Sequence, residues 1–267
     1  ADRLTVSVGA VSKWLRRVSR TEAPSEHPEA AAEPDVPDSE WSPKLSLDPD
    51  PSNRILDRIL ARLGRLMDAE PVFISGRRVP RAGVLLAVPA LVQSGIFEAA
   101  EEVYGHIGPA FYGLRTTILA LLLFALLRIK RPEALKEHGP ADLGRMLGLD
   151  RAPEVKTLRR KLRQMAQAGK AEMFGRKLAK LRVKRHGRAL AFLYVDGHVR
   201  IYHGQRRIGK AHVTRMRLSL PATTDFWVND KHGDPVLVWT AEVNPSVAAM
   251  LVRILARVRR LVGKRRV

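Results

Sequence analysis

The spacing of apolar residues along this chain shifts from helical to strand-like and back, and the shifts divide it into parts. From Ser52 or Asn53, either of which suits a helix N-cap, the segment RILDRILARLGRLM sets Ile55, Ile59, Leu63 and Leu66, with Leu56, Leu60 and Met67, on one stripe. That is the pattern of an amphipathic helix. Further helices are expected at 84–93, 96–104 and 114–129, punctuated by Pro89, Gly95 and the turn GHIGP at 105–109. The block 52–186 therefore reads as all-helical. After Gly187 the period falls from 3.6 towards 2, with β-rich runs ALAFLYV, VRIYH, VTRMRLSL, DFWV and VLVWTAEV separated by turns at GQ, PATT and NDKHGDP. A last helix over 246–262 carries Val247, Met250, Leu251, Ile254, Leu255, Val258 and Leu261 on one face. The expected fold class is α+β, an all-helical N-terminal region followed by strands and a helix.

Charge adds two boundaries ahead of the helical block. Residues 1–20 are basic, and residues 21–51 alternate Pro with acidic side chains without apolar periodicity, as in a solvated linker. Within the block, PADLGRMLGLDRAPEVKTLRRKLRQMAQAG at 140–169 reads as a helix-turn-helix: a short helix over 141–147, a Gly-containing turn, and a second helix opened by Pro153 at its first position. On the second helix Val155, Leu158, Leu162, Met165 and Ala166 share one arc, while Lys156, Thr157, Arg159, Arg160, Arg163 and Gln164 are left for solvent or a partner. A second amphipathic segment, SVGAVSKWLRR at 7–17, has Ser7 as a cap, Val11, Trp14, Leu15 and Val18 inward, and Lys13, Arg16 and Arg17 outward. It reads either as the end of another, partial helix-turn-helix within 1–20 or as an amphipathic terminus.

Global composition points the same way. The 267 residues are 45% hydrophobic, enough for a real core, and 47 Lys plus Arg against 27 Asp plus Glu give a formal charge of +20. Such an excess predicts attraction to a polyanion. It concentrates in 151–217, where twenty Lys or Arg face only Glu154, Glu172 and Asp196, which favours DNA contact over a merely solvated basic helix. The longest apolar run, ILALLLFALL at 118–127, is half the length of a membrane-spanning helix of about twenty residues and suits a buried core helix. The chain has no Cys, which excludes disulfides, thiolate metal sites and Cys nucleophiles. Its first residues, ADRLTVSVGA, lack a secretory pattern.

One carboxylate stands out. In AFLYVDGHVRIYH, Asp196 interrupts an aromatic, β-branched and basic run. Asp-Gly between two β-prone runs is the usual signal of a two-residue hairpin turn, which the local pattern favours, with a metal ligand as the minority reading of Asp196. Asp225, Asp230 and Asp234 are expected in turns and Glu242 on a strand surface, and His198, His203 and His212 show no metal-ligand spacing. No phosphate-binding Gly loop, nucleophile elbow or His-Glu-x-x-His is present.

The order of these parts, with GLDRAPEVKTLRRKL, LYVDGHVRIYHG, IGKAHVTRMRLSLPATTDFWVND and GDPVLVWTAEV, resembles a bacterial insertion-sequence transposase of the DDE type, in the group with a YVDGHVRVYHG-like first strand. The resemblance covers roughly residues 50–267. It implies that 187–267 is the first half, three strands and a helix, of a ribonuclease-H-like catalytic core, with Asp196 as its first catalytic acid and metal ligand. It further implies Mg²⁺ or Mn²⁺ in a two-metal phosphoryl transfer, the double-stranded DNA of transposon ends as partner, and a place in the bacterial cytoplasm at the nucleoid, away from membranes; it allows a homodimer. In that fold order a fourth strand with a second Asp, and later a Glu, follow the first helix. Here GKRRV ends at Val267 where the fourth strand is expected, so the resemblance implies a C-terminally truncated enzyme, inactive alone and without a tightly held metal. The alternative is a non-catalytic DNA-binding remnant acting as a repressor.

Overall fold

The structure, a computed structural model, describes residues 47, 48, 50–74, 79–108, 110–186, 192–242 and 245–263. The segment 1–20, with Lys13, Arg16 and Arg17, and all but the last residues of the segment 21–51 lie outside the described residues. The chain falls into two compact units that divide between Lys170 and Ala171.

In the first unit, helix α1 (Ile55–Arg62) follows the predicted pattern, and Leu60 of the stripe, with Leu66 beyond the helix, is buried, but most of the stripe faces outward. Ile55, Leu56, Ile59 and Leu63 are 44–64% exposed, whereas Arg54 and Asp57 are buried. Hydrogen bonding explains the inversion. The Arg54 guanidinium donates through Nε to Asp57 Oδ2 (2.8 Å) and through its terminal nitrogens to the carbonyls of Glu70 (2.8 Å) and Gly148 (3.3 Å). Asp57 in turn accepts from the Leu47 N–H (2.7 Å), and its own N–H donates to Asp48 (2.9 Å). A polar pair so fully satisfied can be interior, and burying it leaves Ile55, Leu56, Ile59 and Leu63 outside. The N-cap is Arg54 rather than Ser52 or Asn53, and the helix stops before Leu66 because Gly64 adopts φ +74° and Arg65 N–H returns to the Leu60 carbonyl (2.8 Å).

A 3₁₀ turn (Ala82–Ala87) leads into α2 (Val88–Gln93) and α3 (Ile96–Tyr104), and the apolar run forms α4 (Leu114–Leu126). Ile118, Leu119, Ala120, Leu123 and Phe124 of α4 are buried, as a core helix requires, each large side chain contributing about 1.5–3 kcal/mol of transfer free energy. Asp68 anchors its start by accepting from the Gly113 (2.9 Å) and Thr116 (3.0 Å) N–H groups. A second 3₁₀ turn (Pro132–Glu137), α5 (Pro140–Leu147) and α6 (Val155–Gln167) complete the unit.

The second unit opens with α7 (Ala171–His186), so the division lies one helix before the change of period at 187. The reason is packing: Val183 of α7 shares a core with the sheet residues Phe226, Val228, Val236 and Leu237 and with Met250, Ile254, Val258 and Val262 of the last helix. The sheet is antiparallel, with β1 (Tyr194–Ile201), β2 (Lys210–Val213), β3 (Leu218–Asn229) and β4 (Pro235–Ala241). The long β3 is central: it pairs with β1 along 222–229, with β4 along 224–229 on the opposite edge, and with β2 along 218–221. Helix α8 (Val247–Val262) is capped by Ser246, whose Oγ accepts from the Ala249 N–H (3.1 Å). Its buried row is narrower than the expected face, since Val247, Leu251 and Leu255 are exposed.

Two expected turns are strand interior. Asp196-Gly197 lies within β1, and PATT lies within the twelve residues of β3. Each turn signal is overridden by an unbroken ladder: Tyr194 to Ile201 pair in register with Asn229 to Ala222. NDKHGDP does turn, with Gly233 at φ +84°. The described residues thus form a mixed helix-and-sheet fold, as the α+β expectation had it.

Candidate functional site

Two groups of residues carry the chemistry, one on α6 in the first unit and one on β1 in the second. The approach to α6 is fixed at several points. Gly148 ends α5 at φ +71°, where an added Cβ would meet Pro71 at 2.7 Å. Beyond it, Asp150 takes both carboxylate oxygens to Arg58 (2.7 and 2.8 Å), the Tyr112 hydroxyl donates to the Arg151 carbonyl (2.9 Å), and Ala152 N–H donates to the Pro140 carbonyl (2.8 Å). Helix α6 starts at Val155 with Glu154 as N-cap, two residues beyond the position assigned to Pro153.

The helix is also rotated from the expected arc. Leu158 is buried as predicted, but its companion is Lys161, while Leu162 and Ala166 are exposed. Lys161 lays its apolar stem inward and donates through Nζ to the Ile107 carbonyl (3.1 Å). Burial pushes its pKa down, with the Asp68 charge opposing in part.

Of the residues assigned to DNA contact on this helix, Lys156, Arg159, Arg160, Arg163 and Gln164 are exposed and Thr157 is half-buried. Arg159 is already engaged: its Nε donates to Glu133 Oε1 at 2.7 Å, which holds the Glu133 carboxyl below its ordinary pKa. The side chains of Lys156, Arg160 and Arg163 make no ion pair with any described residue. The outward face is therefore cationic with most of its charge uncommitted.

On β1 the alternation of a strand separates two sets of side chains. Gly197 faces the helical core, where an added Cβ would approach Phe226 at 3.3 Å and Val247 at 3.6 Å. Asp196, His198 and Arg200 therefore occupy the opposite face. Register places Asp196 beside Trp227 and, across β3, Val238; it places His198 beside Asp225 and Thr240. Asp196 is exposed.

Asp225, which the sequence suggested as a turn residue, is instead buried in the middle of β3 and accepts from Thr240 Oγ1 (2.6 Å) and the Arg200 guanidinium (3.2 Å). Only the strand register brings it onto the face of Asp196; the alternation of LSLPATTDFWVN was a usable signal, masked by PATT. Asp230 is a turn residue as expected. Burial works against its ionisation, but Arg182 (2.5 Å) and the backbone N–H groups of His232 (2.9 Å) and Asp234 (3.2 Å) outweigh that and hold its pKa below the ordinary carboxylate value. Asp234 also pairs with Arg182 (2.6 Å), and Glu242 pairs with Arg206.

A two-metal site needs at least three converging carboxylates. Among the described residues no group of three or more His, Asp or Glu is placed to hold a metal ion. The nearest acid by register, Asp225, has its oxygens taken by Arg200 and Thr240. Asp196 is thus an exposed carboxylate on this face of the sheet, beside an Asp225 that is already partnered.

No single helix among the described residues is long and apolar enough to cross a membrane. No curated protein matches the chain, and no solved structure does. A family model described as "Transposase protein" matches residues 51–267.

Proposed function

This chain belongs to that family of transposase proteins, and from that premise we propose that it is a DDE-type transposase of an insertion sequence which holds the double-stranded DNA of transposon ends through α6. The observation that carries the reading is the cationic face of a rigidly entered helix, with Lys156, Arg160 and Arg163 exposed and free of ion pairs among the described residues. Thirteen helical residues span about 20 Å, enough to lie in a major groove about 12 Å wide. Lys156, Arg160 and Arg163 then meet phosphates or guanine edges, and Gln164 and Thr157 meet adenine or backbone.

Asp196 is the acid we assign to strand cleavage. What supports this is its place: an exposed carboxylate on the first strand of an antiparallel sheet that is followed by a helix, the order in which a ribonuclease-H-like core begins. Mg²⁺ or Mn²⁺ is the cofactor such chemistry calls for, and Asp196 is the one ligand we assign to it.

The test is selection from a pool of random duplexes with the full chain. Enrichment of a discrete sequence motif, lost when Lys156, Arg160 and Arg163 are replaced together by Gln but kept in Asp196→Ala, is the expected result. Failure to retain duplex DNA, or loss of binding in Asp196→Ala equal to that of the α6 variant, would refute the division of labour between α6 and β1.

A further inference from the structure

The hairpin joining β2 to β3 carries a second cationic feature that the α6 reading does not use. Between Asp196 and Asp225 the sequence has no acidic residue and holds Arg200, Arg206, Arg207, Lys210, Arg215 and Arg217. Strand β2 is anchored by Ala211 and Val213, which are buried, and turns Lys210 and His212 outward. The chain then reverses through Thr214, Arg215, Met216 and Arg217, all exposed, with Val213 and Leu218 paired at the base. Two hydrogen bonds close the turn, Met216 N–H to the Val213 carbonyl (2.9 Å) and Arg217 N–H to the Thr214 carbonyl (3.2 Å). Arg217 stands in the left-handed region at φ +53°, where a glycine or asparagine would be unstrained. The tip therefore presents two guanidinium groups around an apolar side chain, and Met216 is 49% exposed.

We infer that this tip is a minor-groove wedge for duplex DNA, an inference that rests on the reading of the chain as a DNA-binding transposase. Arginines enter the narrow minor groove because its negative potential is strong there, and an apolar residue such as Met inserted between base steps unstacks them and kinks the duplex. A closed four-residue turn on a sheet-anchored hairpin is narrow enough to enter that groove of about 6 Å, and its Arg-Met-Arg order supplies both parts. Arg215 and Arg217 hold the groove walls; Met216 opens the step between them. The shallow, wide minor groove of duplex RNA offers the tip no such grip.

The test uses the full chain and a 25-base-pair duplex with an A·T-rich centre, dye-labelled at both ends, with affinity read by anisotropy over a series of salt concentrations and bending by energy transfer. Arg215→Gln with Arg217→Asn should weaken binding about tenfold and lower the salt slope by about two units, and Arg215→Gln alone by about one. Met216→Ala should keep the slope and lose at least half of the wild-type bend. The positions are exposed, so melting temperatures should match wild type. An unbent wild-type complex, an unchanged slope and affinity in the arginine variants, or the same losses on duplex RNA would each overturn the wedge. Wild-type binding that the hairpin variants retain in full sinks the wedge alone; no duplex binding by the wild-type chain sinks the reading of α6 as well.

Discussion

Replacing Lys156, Arg160 and Arg163 together by Gln removes three exposed positive charges from α6 without touching Leu158 or the buried Lys161. Each phosphate contact contributes about 0.9 to the slope of log affinity against log salt, so three lost contacts should lower that slope by about 2.7 units. Between 50 and 200 mM salt, that difference makes the wild-type affinity fall roughly 40-fold more than the variant's. Arg159 supplies an internal control, because its guanidinium is held by Glu133. Arg159→Gln alone should change the slope by less than Arg160→Gln does. Glu133→Gln should do the reverse, freeing Arg159 and deleting a nearby negative charge, so binding strengthens and the slope steepens by up to about 0.9. The pair is solvent-exposed and screened, so Glu133→Gln should leave stability nearly unchanged. Fluorescence anisotropy with a short labelled duplex at four salt concentrations measures all of these. A triple variant with the wild-type slope, or an Arg159→Gln effect equal to that of Arg160→Gln, would refute the assignment of α6 as the DNA-facing helix in this orientation.

Three further outcomes follow from buried groups. Asp57→Ala strands the Arg54 guanidinium in the interior and should cost about 3–5 kcal/mol in urea unfolding followed by circular dichroism, while Arg54→Met with Asp57→Leu recovers most of it; equal losses in the single and double variants would show that the pair is not the unit that matters. Because burial sets the folded pKa of Lys161 below its unfolded value of about 10.5, the folded state bears the cost of charging it at neutral pH and is relieved as pH rises. The stability of wild type relative to Lys161→Met should therefore increase between pH 7 and pH 10, and a flat difference would contradict the buried lysine. The Asp230 carboxyl, held below the ordinary value, contributes stability that is present above its unfolded pKa and lost as pH falls through its folded one, so Asp230→Asn should cost about 1–3 kcal/mol at neutral pH and the difference from wild type should shrink as the carboxyl is protonated in acid.

Periodicity and charge were enough to establish the helical block, the switch to strands near 187, the core helix made from ILALLLFALL, the last helix and the cationic helix that follows Gly148. These are local properties: spacing decides which residues share a face, and a cap or a left-handed glycine acts within one turn. Asp196 was singled out by its lone charge and by family resemblance, and its exposed strand position could be read only after β1 was paired. What spacing does not decide is which neighbour covers a face. Helix α1 turned most of its apolar stripe outward because Arg54 and Asp57 found partners in Leu47, Asp48, Glu70 and Gly148, from outside the helix. Lys161 went inward because a carbonyl from Ile107 was within reach of its amine. Asp-Gly and PATT, strong turn signals in isolation, became strand interior because continuous pairing of β1 with β3 satisfies backbone groups that a turn at either place would leave unpaired. The same pairing set Asp225 two residues along from the neighbour of Asp196 on one face, a juxtaposition fixed by register and hydrogen bonds between strands, which only the folded chain supplies.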